Sequence, residues 1–567
     1  MLAALIVVIM AVFVVRLFYL QIIQHEHYLA LAREEQVTRL KIPASRGEIY
    51  AMNGSKVVPL VKNETVYTVF ADPMIMDDKE KVVKVMREVA GGNLREGFDK
   101  LLDLKETRYQ IIAYKVTRTQ ADKIKEQKLS GIGFQAVSQR VYPEGQLAAQ
   151  VLGFMNTEGV GNYGVESALT EELQGKDGML ESVTDVSDVP LTIGDQNINI
   201  PAQNGKNVVL TLDRNIQSKA EQALAAGLQR TGALNGSVLI MDPQTGKVLA
   251  MANLPTYNPA EYFKVEDAAA FNNATISAPY EPGSDVKTFT MATGIDKGVV
   301  KPTDTYNNTD YITVDDRTIT NATKGHTGNI TFQTALQYSL NTGFVTVAQR
   351  LGDGNSITKK ARDTMYEYFH DRFRLGQLTG IELAGEAKGT LISPDEAEGN
   401  AVRYSNMSFG QGLDATMIQV TAGFSALVNG GKYYKPTIVN GYVADDGQFE
   451  QKAAAPAIEQ IVAGSTAEQM KEMMHTARTS SFPSIDKAGY EVGGKTGTSQ
   501  VIENGQYSTS ETVGTYLGFG GGETAEYVIM VQVSGKDKLL QGARDAMPIF
   551  TDISNWMLDY LKIQPKG

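Results

Sequence analysis

The chain opens on a nearly unbroken apolar run: Leu2 to Val15, an interruption at Arg16, then Leu17-Phe18-Tyr19-Leu20-Gln21-Ile22-Ile23. About 22 residues is enough for one helix to cross roughly 30 Å of hydrocarbon. Arg16 would cost about 2–3 kcal/mol at the centre of such a helix and less where it snorkels. A single anchor over residues 1–23 is therefore expected. The competing reading, a cleaved signal peptide, is weakened by the missing basic start and by the lack of a small-x-small cleavage site. With no basic residues flanking the run, charge alone does not orient the helix. From His25 to Lys41 the sequence reads as a polar helix leading away from the bilayer. His25 and His27, two positions apart, diverge on such a helix and read as interfacial polar residues, not as metal ligands.

From Ser45 to about Gln203 short strand patterns mix with two helical ones. Val82, Val85, Met86 and Val89 carry helical spacing, as do Ala121 and Ile124. Glycine punctuation between them predicts an irregular α+β module, closed by the polar run Gly194 to Lys206. Beyond it, Ser237–Met241 and Lys247–Met251 flank Asp242-Pro-Gln-Thr-Gly246, a hairpin signal. Helical patterns dominate to about Met474. Two further strands, Thr512–Phe519 and Tyr527–Val533, are joined by a glycine-rich turn. A last helix sets Ile549, Phe550, Ile553, Trp556, Met557, Tyr560 and Leu561 on one stripe. Strands at both ends with helices between them predict a sheet built from both ends of the domain and covered by helices. The expected division is an anchor at 1–23, a juxtamembrane segment at 24–44, a pedestal at 45–205 and a larger domain at 206–567.

Composition narrows the chemistry. The 567 residues are 42% hydrophobic and 21% charged, an ordinary globular balance. With 53 Lys+Arg against 65 Asp+Glu the net charge is −12, unsuited to nucleic acid, whose phosphates call for basic surface. The absence of cysteine removes disulfides, thiolate metal sites and thiol nucleophiles, and five histidines leave little for metal chemistry or a Ser-His-Asp triad.

A nucleophilic serine without histidine needs another base, and a lysine one helical turn away is the economical partner. S-x-x-K occurs three times, at Ser284–Lys287, Ser356–Lys359 and Ser484–Lys487. Only Ser284 follows a turn, Glu281-Pro282-Gly283, and opens a helical pattern through Val286, Phe289 and Thr293; the other two sit in polar stretches. A serine at a helix N-terminus has backbone N–H groups and the positive dipole end beside it. Its bland alternative is a helix cap. Ser339-Leu340-Asn341 falls between two helical segments, where Asn341 could equally be an N-cap. Lys495-Thr496-Gly497-Thr498 follows Gly493-Gly494 in a strand pattern. There a lysine offers charge, a threonine a hydroxyl and a glycine room for a substrate backbone, unless the lysine merely guards an edge strand.

In order, S-x-x-K, S-x-N and K-T-G are 55 and 156 residues apart, the order found in penicillin-binding proteins and β-lactamases. The chain resembles a class B penicillin-binding protein, a monofunctional peptidoglycan D,D-transpeptidase, over nearly its whole length. Glu281-Pro-Gly-Ser284-Asp-Val-Lys287 resembles the family's E-P-G-S-x-x-K, and Asp242–Met251 its hairpin before the site. Ser408-Phe-Gly-Gln-Gly412 resembles S-x-G-Q-G, with Asn429-Gly-Gly431 after it. Arg46-Gly-Glu-Ile49, Arg140-Val-Tyr-Pro-Glu-Gly145, Gly164-Val-Glu166 and Gly175-Lys-Asp-Gly178 resemble pedestal motifs. The Asp-Arg pair that usually follows R-G-x-I is replaced by Ala51-Met52, which puts local pedestal ion pairs in question. No glycosyltransferase domain is expected in the roughly 200 residues before the catalytic domain, and no further module after the last helix.

The resemblance implies a multidomain fold. It comprises a single N-terminal transmembrane helix, an irregular α+β pedestal and an α/β serine β-lactamase/transpeptidase-like domain, an antiparallel sheet covered by helices. It implies a bacterial cell-membrane protein with its catalytic domain on the extracytoplasmic side, cross-linking stem peptides that end in D-Ala-D-Ala during division or elongation. Ser284 would be the nucleophile, Lys287 the base, Ser339 a proton relay and Asn341 a clamp on the acyl side chain. Lys495, Thr496, Gly497 and Thr498 would hold the terminal carboxylate and backbone, and the N–H groups of Ser284 and Thr498 would form the oxyanion hole. β-Lactams would acylate Ser284, and a SEDS-family glycan polymerase and other membrane cell-wall proteins would be partners. No metal or cofactor is expected. The alternatives are a membrane-anchored β-lactamase or D,D-carboxypeptidase, and a catalytically silent scaffold of a cell-wall synthesis complex.

Overall fold

The computed structural model describes residues 1–28, 37–183, 198–444, 447–503 and 505–566. They form two compact units, Met1–Gly47 with Glu171–Lys206, and Glu48–Thr170 with Asn207–Gly567.

In the first unit, helix Leu2–Phe18 continues as a wider turn over Tyr19–Ile23. Among the described residues one helix is long and apolar enough to cross a membrane, Leu5–Ile23, with a mean hydropathy of 2.6. Its side chains face outward, as those of a candidate anchor do. The polar helix expected over residues 25–41 is corrected in part. Residues 25–28 are helical, 29–36 lie outside the described residues, and Val37–Ile42 is a strand. Only Leu40-Lys41-Ile42 alternates apolar and polar, and the β-branched Val37, Thr38 and Ile42 suit a strand. It pairs antiparallel with Gly178–Val183, which in turn pairs with Ile198–Ile200. Of the polar run 194–206, residues 194–197 lie outside the described ones, 198–200 form that last strand and 201–206 follow it. The R-G motif has a packing reason: the Gly47 N–H donates to Leu173 O at 2.7 Å, and a Cβ on Gly47 would lie 1.9 Å from Lys206 O.

In the second unit a seven-stranded sheet interleaves distant segments. Its order is Phe449–Gln451, Val439–Val443, Asn207–Asp213, Ile49–Asn53, Lys56–Ala71 and Gln110–Thr117, with Ile132–Val141 also on Lys56–Ala71. Helices Lys79–Val89 and Arg118–Glu126 bury Val82, Val85, Met86, Ala121 and Ile124 against it, as their spacing predicts. Arg140 and Glu166, from two separate pedestal motifs, meet as a buried ion pair at 2.7 Å.

The site rests on a five-stranded antiparallel sheet formed by β1 (Asn235–Met241), β2 (Val248–Leu254), β3 (Glu491–Glu503), β4 (Gln506–Gly521) and β5 (Ala525–Ser534). Its order is β2-β1-β5-β4-β3. The first two strands are the expected hairpin, paired to the last three through β1 and β5. One face is covered by α1 (Arg214–Thr231) and a second helix, Met547–Tyr560. The two approach so closely that a Cβ on Gly227 would sit 2.3 Å from Ile549 Cδ1. Ile549, Phe550, Ile553 and Met557 of the predicted stripe are buried there, with Trp556 and Tyr560 at its margin and Leu561 beyond the helix end. The helix that carries the S-x-x-K lysine, Lys287–Asp296, is buried from Lys287 through Ile295. A helix enclosed all round belongs to the interior, so its first turn is a rigid platform.

Candidate active site

Gly283–Val286 forms a single 3₁₀ turn that runs directly into helix Lys287–Asp296. Ser284 therefore sits at the mouth of a buried helix, half-exposed, and its side chain makes no capping bond. Two glycines make the turn possible. Gly283 has φ 57°, and its N–H donates to Gly410 O at 3.0 Å. Gly410, from the S-x-G-Q-G stretch, has φ 94°, and a Cβ there would lie 1.8 Å from Gly283 O. Glu281 holds the same loop from the other side: its Oε1 accepts from Gly412 N at 2.7 Å and from the Tyr507 hydroxyl at 3.2 Å.

The other two motifs converge on this turn. Lys287 Nζ donates to Ser339 O at 2.8 Å, Ser339 Oγ at 3.0 Å and Asn341 Oδ1 at 2.8 Å. Ser339 Oγ in turn donates to Ser284 Oγ at 2.9 Å. The expectation that the hydroxyl and the amine of S-x-x-K meet directly gives way to a three-membered chain. Among the described residues Lys287 makes no hydrogen bond to Ser284, because all its donors are taken by the S-x-N loop. Asn341 begins helix Asn341–Arg350 without capping it, and its Nδ2 donates to Thr320 O at 2.9 Å.

Lys495-Thr496-Gly497-Thr498 lies on β3, the edge strand of the sheet. Lys495 does not guard that edge from solvent: it is 4% exposed, and its Nζ donates to Thr496 O at 2.9 Å. Thr498 faces outward, with its Oγ1 accepting from Gly542 N at 3.2 Å. Gly497 is obligatory, since a Cβ would fall 2.1 Å from Thr515 Oγ1 and 2.8 Å from Asp285 Oδ2. All three motifs line one cleft of about 740 Å³, shared with Thr318–Thr320, Asn406, Gln411 and Gln541. The two other S-x-x-K serines lie elsewhere and are exposed. Ser356 Oγ donates to Asp353, and Lys487 is paired with Asp559.

Burial dominates the electrostatics. The Lys287 ammonium is pushed well below the ordinary lysine range by desolvation, and the positive charge of Lys495 adds to the effect while Asp285 opposes it. Lys495 is lowered by burial, again against the pull of Asp285. Asp285 is raised by burial, against Thr515 and the two lysines. Asp285 and Thr515 escaped motif reading because the first occupies an open position of S-x-x-K and the second lies on a different strand. Gln541 and the Thr318–Thr320 rim carry no signal of their own.

Comparison with known proteins agrees with this arrangement. The penicillin binding protein transpeptidase domain family matches residues 236–555, and the penicillin-binding protein dimerisation domain family matches 41–210. The chain belongs to the penicillin-binding protein transpeptidase family. It is 29% identical to stage V sporulation protein D of Bacillus subtilis over 557 residues, covering 97% of this chain and 84% of that protein. It is 26% identical to the probable peptidoglycan D,D-transpeptidase PenA of Neisseria gonorrhoeae over 570 residues, covering 98% and 92%. The crystal structure of penicillin binding protein 3 of Mycobacterium tuberculosis, complexed with aztreonam, shares the fold. Its TM-score is 0.69 at 24% identity, covering 93% of this chain and 98% of that one.

Proposed function

We propose that this transpeptidase cross-links peptidoglycan stem peptides through an acyl-enzyme on Ser284. The observation that carries the reading is the continuous chain from Lys287 Nζ through Ser339 Oγ to Ser284 Oγ, with links of 3.0 and 2.9 Å, at the floor of a cleft bordered by the K-T-G strand. With Lys287 neutral the chain runs in reverse: Ser284 gives its proton to Ser339 as Ser339 gives its own to Lys287. Ser284 Oγ then attacks the carbonyl of the penultimate D-Ala. The backbone N–H groups of Ser284 and Thr498 receive the developing oxyanion, each donor worth about 3 kcal/mol. Collapse expels D-Ala, whose amine takes a proton back through Ser339. Lys495, Thr496 and Thr498 hold the terminal carboxylate, Gly497 leaves room for the peptide backbone, and Asn341 orients the acyl side chain. An amine from a neighbouring stem peptide attacks the ester, restores the Ser284 hydroxyl and completes the cross-link.

β-Lactams mimic the donor and acylate the same serine, a reading supported by the aztreonam complex of a protein of this fold. The helix over Leu5–Ile23 anchors the chain as a single pass, with the domain from residue 206 onward outside the cytoplasm and residues 45–205 as its pedestal. A SEDS-family glycan polymerase is the proposed neighbour in a division or elongation complex, by family analogy; capture of such a polymerase by the full-length, membrane-embedded chain tests it. For the chemistry, fluorescent penicillin labels the wild-type chain at Ser284 and leaves Ser284→Ala unlabelled, with the site read by peptide mass spectrometry. Label that persists on the alanine variant would overturn the assignment.

A further inference from the structure

Asp285 stands between the serine and the lysine of S-x-x-K at a position the pattern leaves open, and no step of the reaction above uses it. Yet it is 0% exposed, the least expected place for a carboxylate. Its Oδ2 accepts from Thr515 Oγ1 on β4 at 2.7 Å, while its Oδ1 has no hydrogen-bond partner among the described residues. The pair is roofed by Gly497: Thr515 is the cross-strand partner of Gly497, and the carboxylate lies directly beneath that glycine of K-T-G. The charged and titratable groups facing it are Lys287 from the helix that follows its turn, Lys495 from β3, Tyr516 from β4 and Tyr280 from the segment before the turn. Among the described residues Thr515 is the only hydrogen-bond donor to the carboxylate, so it acts on the two lysines through space, in a medium where such fields are strong.

Two lysines buried side by side repel, and both would tend to neutrality. That suits a base but not a group that must hold a carboxylate. One buried negative charge balances one positive charge, and Lys287 loses the competition because burial and the Lys495 charge both act against it. We propose that Asp285 is a positioning residue for both lysines: a counter-charge, clamped by Thr515 under Gly497, that in its ionised form keeps Lys495 cationic while Lys287 is neutral. The inference rests on the acyl-enzyme reading above and adds to it the device that sets the working pH of the site.

The sign of the effect follows. Removing the negative charge makes both lysines easier to deprotonate. The acid limb of acylation, set by Lys287, and the alkaline limb, set by Lys495, both move to lower pH. The test measures second-order acylation by fluorescent penicillin from pH 5 to 10 on the wild-type chain, Asp285→Asn and Thr515→Val, with thermal unfolding of each. The asparagine keeps the volume and can still accept from Thr515. Its optimum is expected about one pH unit lower, with acylation at pH 8.5 down about tenfold and acylation at pH 6 undiminished. Thr515→Val, which keeps the carboxylate but removes its donor, shifts the profile the same way by less.

A superimposable profile, or a loss of equal size at every pH with lowered thermal stability, overturns the proposal, the latter showing a merely structural role. Should Asp285→Asn fail to fold, Thr515→Val decides: a displaced optimum supports the counter-charge and an unmoved one overturns it. Failure of the wild-type chain to label at Ser284 would instead remove the acyl-enzyme reading itself, so the two failures are distinct.

Discussion

Ser339 holds a φ of 58°, a left-handed backbone that costs a non-glycine residue about 1–2 kcal/mol. That conformation lets it present both its carbonyl and its hydroxyl to Lys287, at 2.8 and 3.0 Å. Strain here secures a geometry that the S-x-N letters do not reveal. In the proposed chemistry Lys287 must be neutral to draw a proton, and its ammonium is destabilised by burial and by Lys495. Acylation by penicillin is therefore expected to rise with pH through a limb well below 10.5 and to fall as acid protonates Lys287; a limb near the ordinary lysine value in a pH–rate profile would contradict this. Glycine positions separate likewise. Gly410→Ala places a Cβ against Gly283 O and should cut acylation by at least about a hundredfold, since shifts of about 1 Å at the nucleophile carry that cost. Gly430→Ala also has a positive φ, 85°, but meets nothing within 4 Å, and is expected to keep its acylation rate. Equal rates in the two variants would show that the close approach is not needed.

At the scale of elements, helix Met547–Tyr560 was legible because its burial follows the apolar stripe. The helix Gly464–Ser481 was less so. Arg478 lies in its last turn, where a cation is favourable beside the helix C-terminus. It is 1% exposed: Nε and Nη2 donate to Asp486 at 2.6 and 2.7 Å, and Nη1 donates to the Tyr516 hydroxyl at 2.6 Å. With His475 Nδ1 2.8 Å from Val492 O, these bonds tie the helix to β3, which borders the cleft, and to its neighbour β4. Arg478→Leu strands Asp486 and the Tyr516 hydroxyl and is expected to cost about 3–5 kcal/mol in urea unfolding. A change under 1 kcal/mol would mean that the helix is held by packing alone. The strand Val37–Ile42 is the opposite lesson: its letters carry no full two-residue period, and pairing with the distant Gly178–Val183 is what makes it a strand.

For the whole molecule, the apolar helix and the catalytic cleft are separate pieces of physics. Deletion of residues 1–23 is expected to abolish co-sedimentation with phospholipid vesicles while penicillin acylation stays within about twofold, because no residue of the cleft lies in that segment. Residual vesicle binding by the shortened chain would locate a second membrane contact. The sequence by itself determined the N-terminal apolar helix, the amphipathic helices, the β1–β2 hairpin and the three motifs, since each is written in local spacing or in a few adjacent letters. Only the tertiary structure decided that Lys287 bonds to the S-x-N loop, that Thr515 clamps a buried carboxylate under Gly497, and that residues 207–213 and 439–443 share a sheet with residues 49–71. These depend on which distant segments exclude water together, and burial of that kind sets charge and contact without leaving a period in the chain.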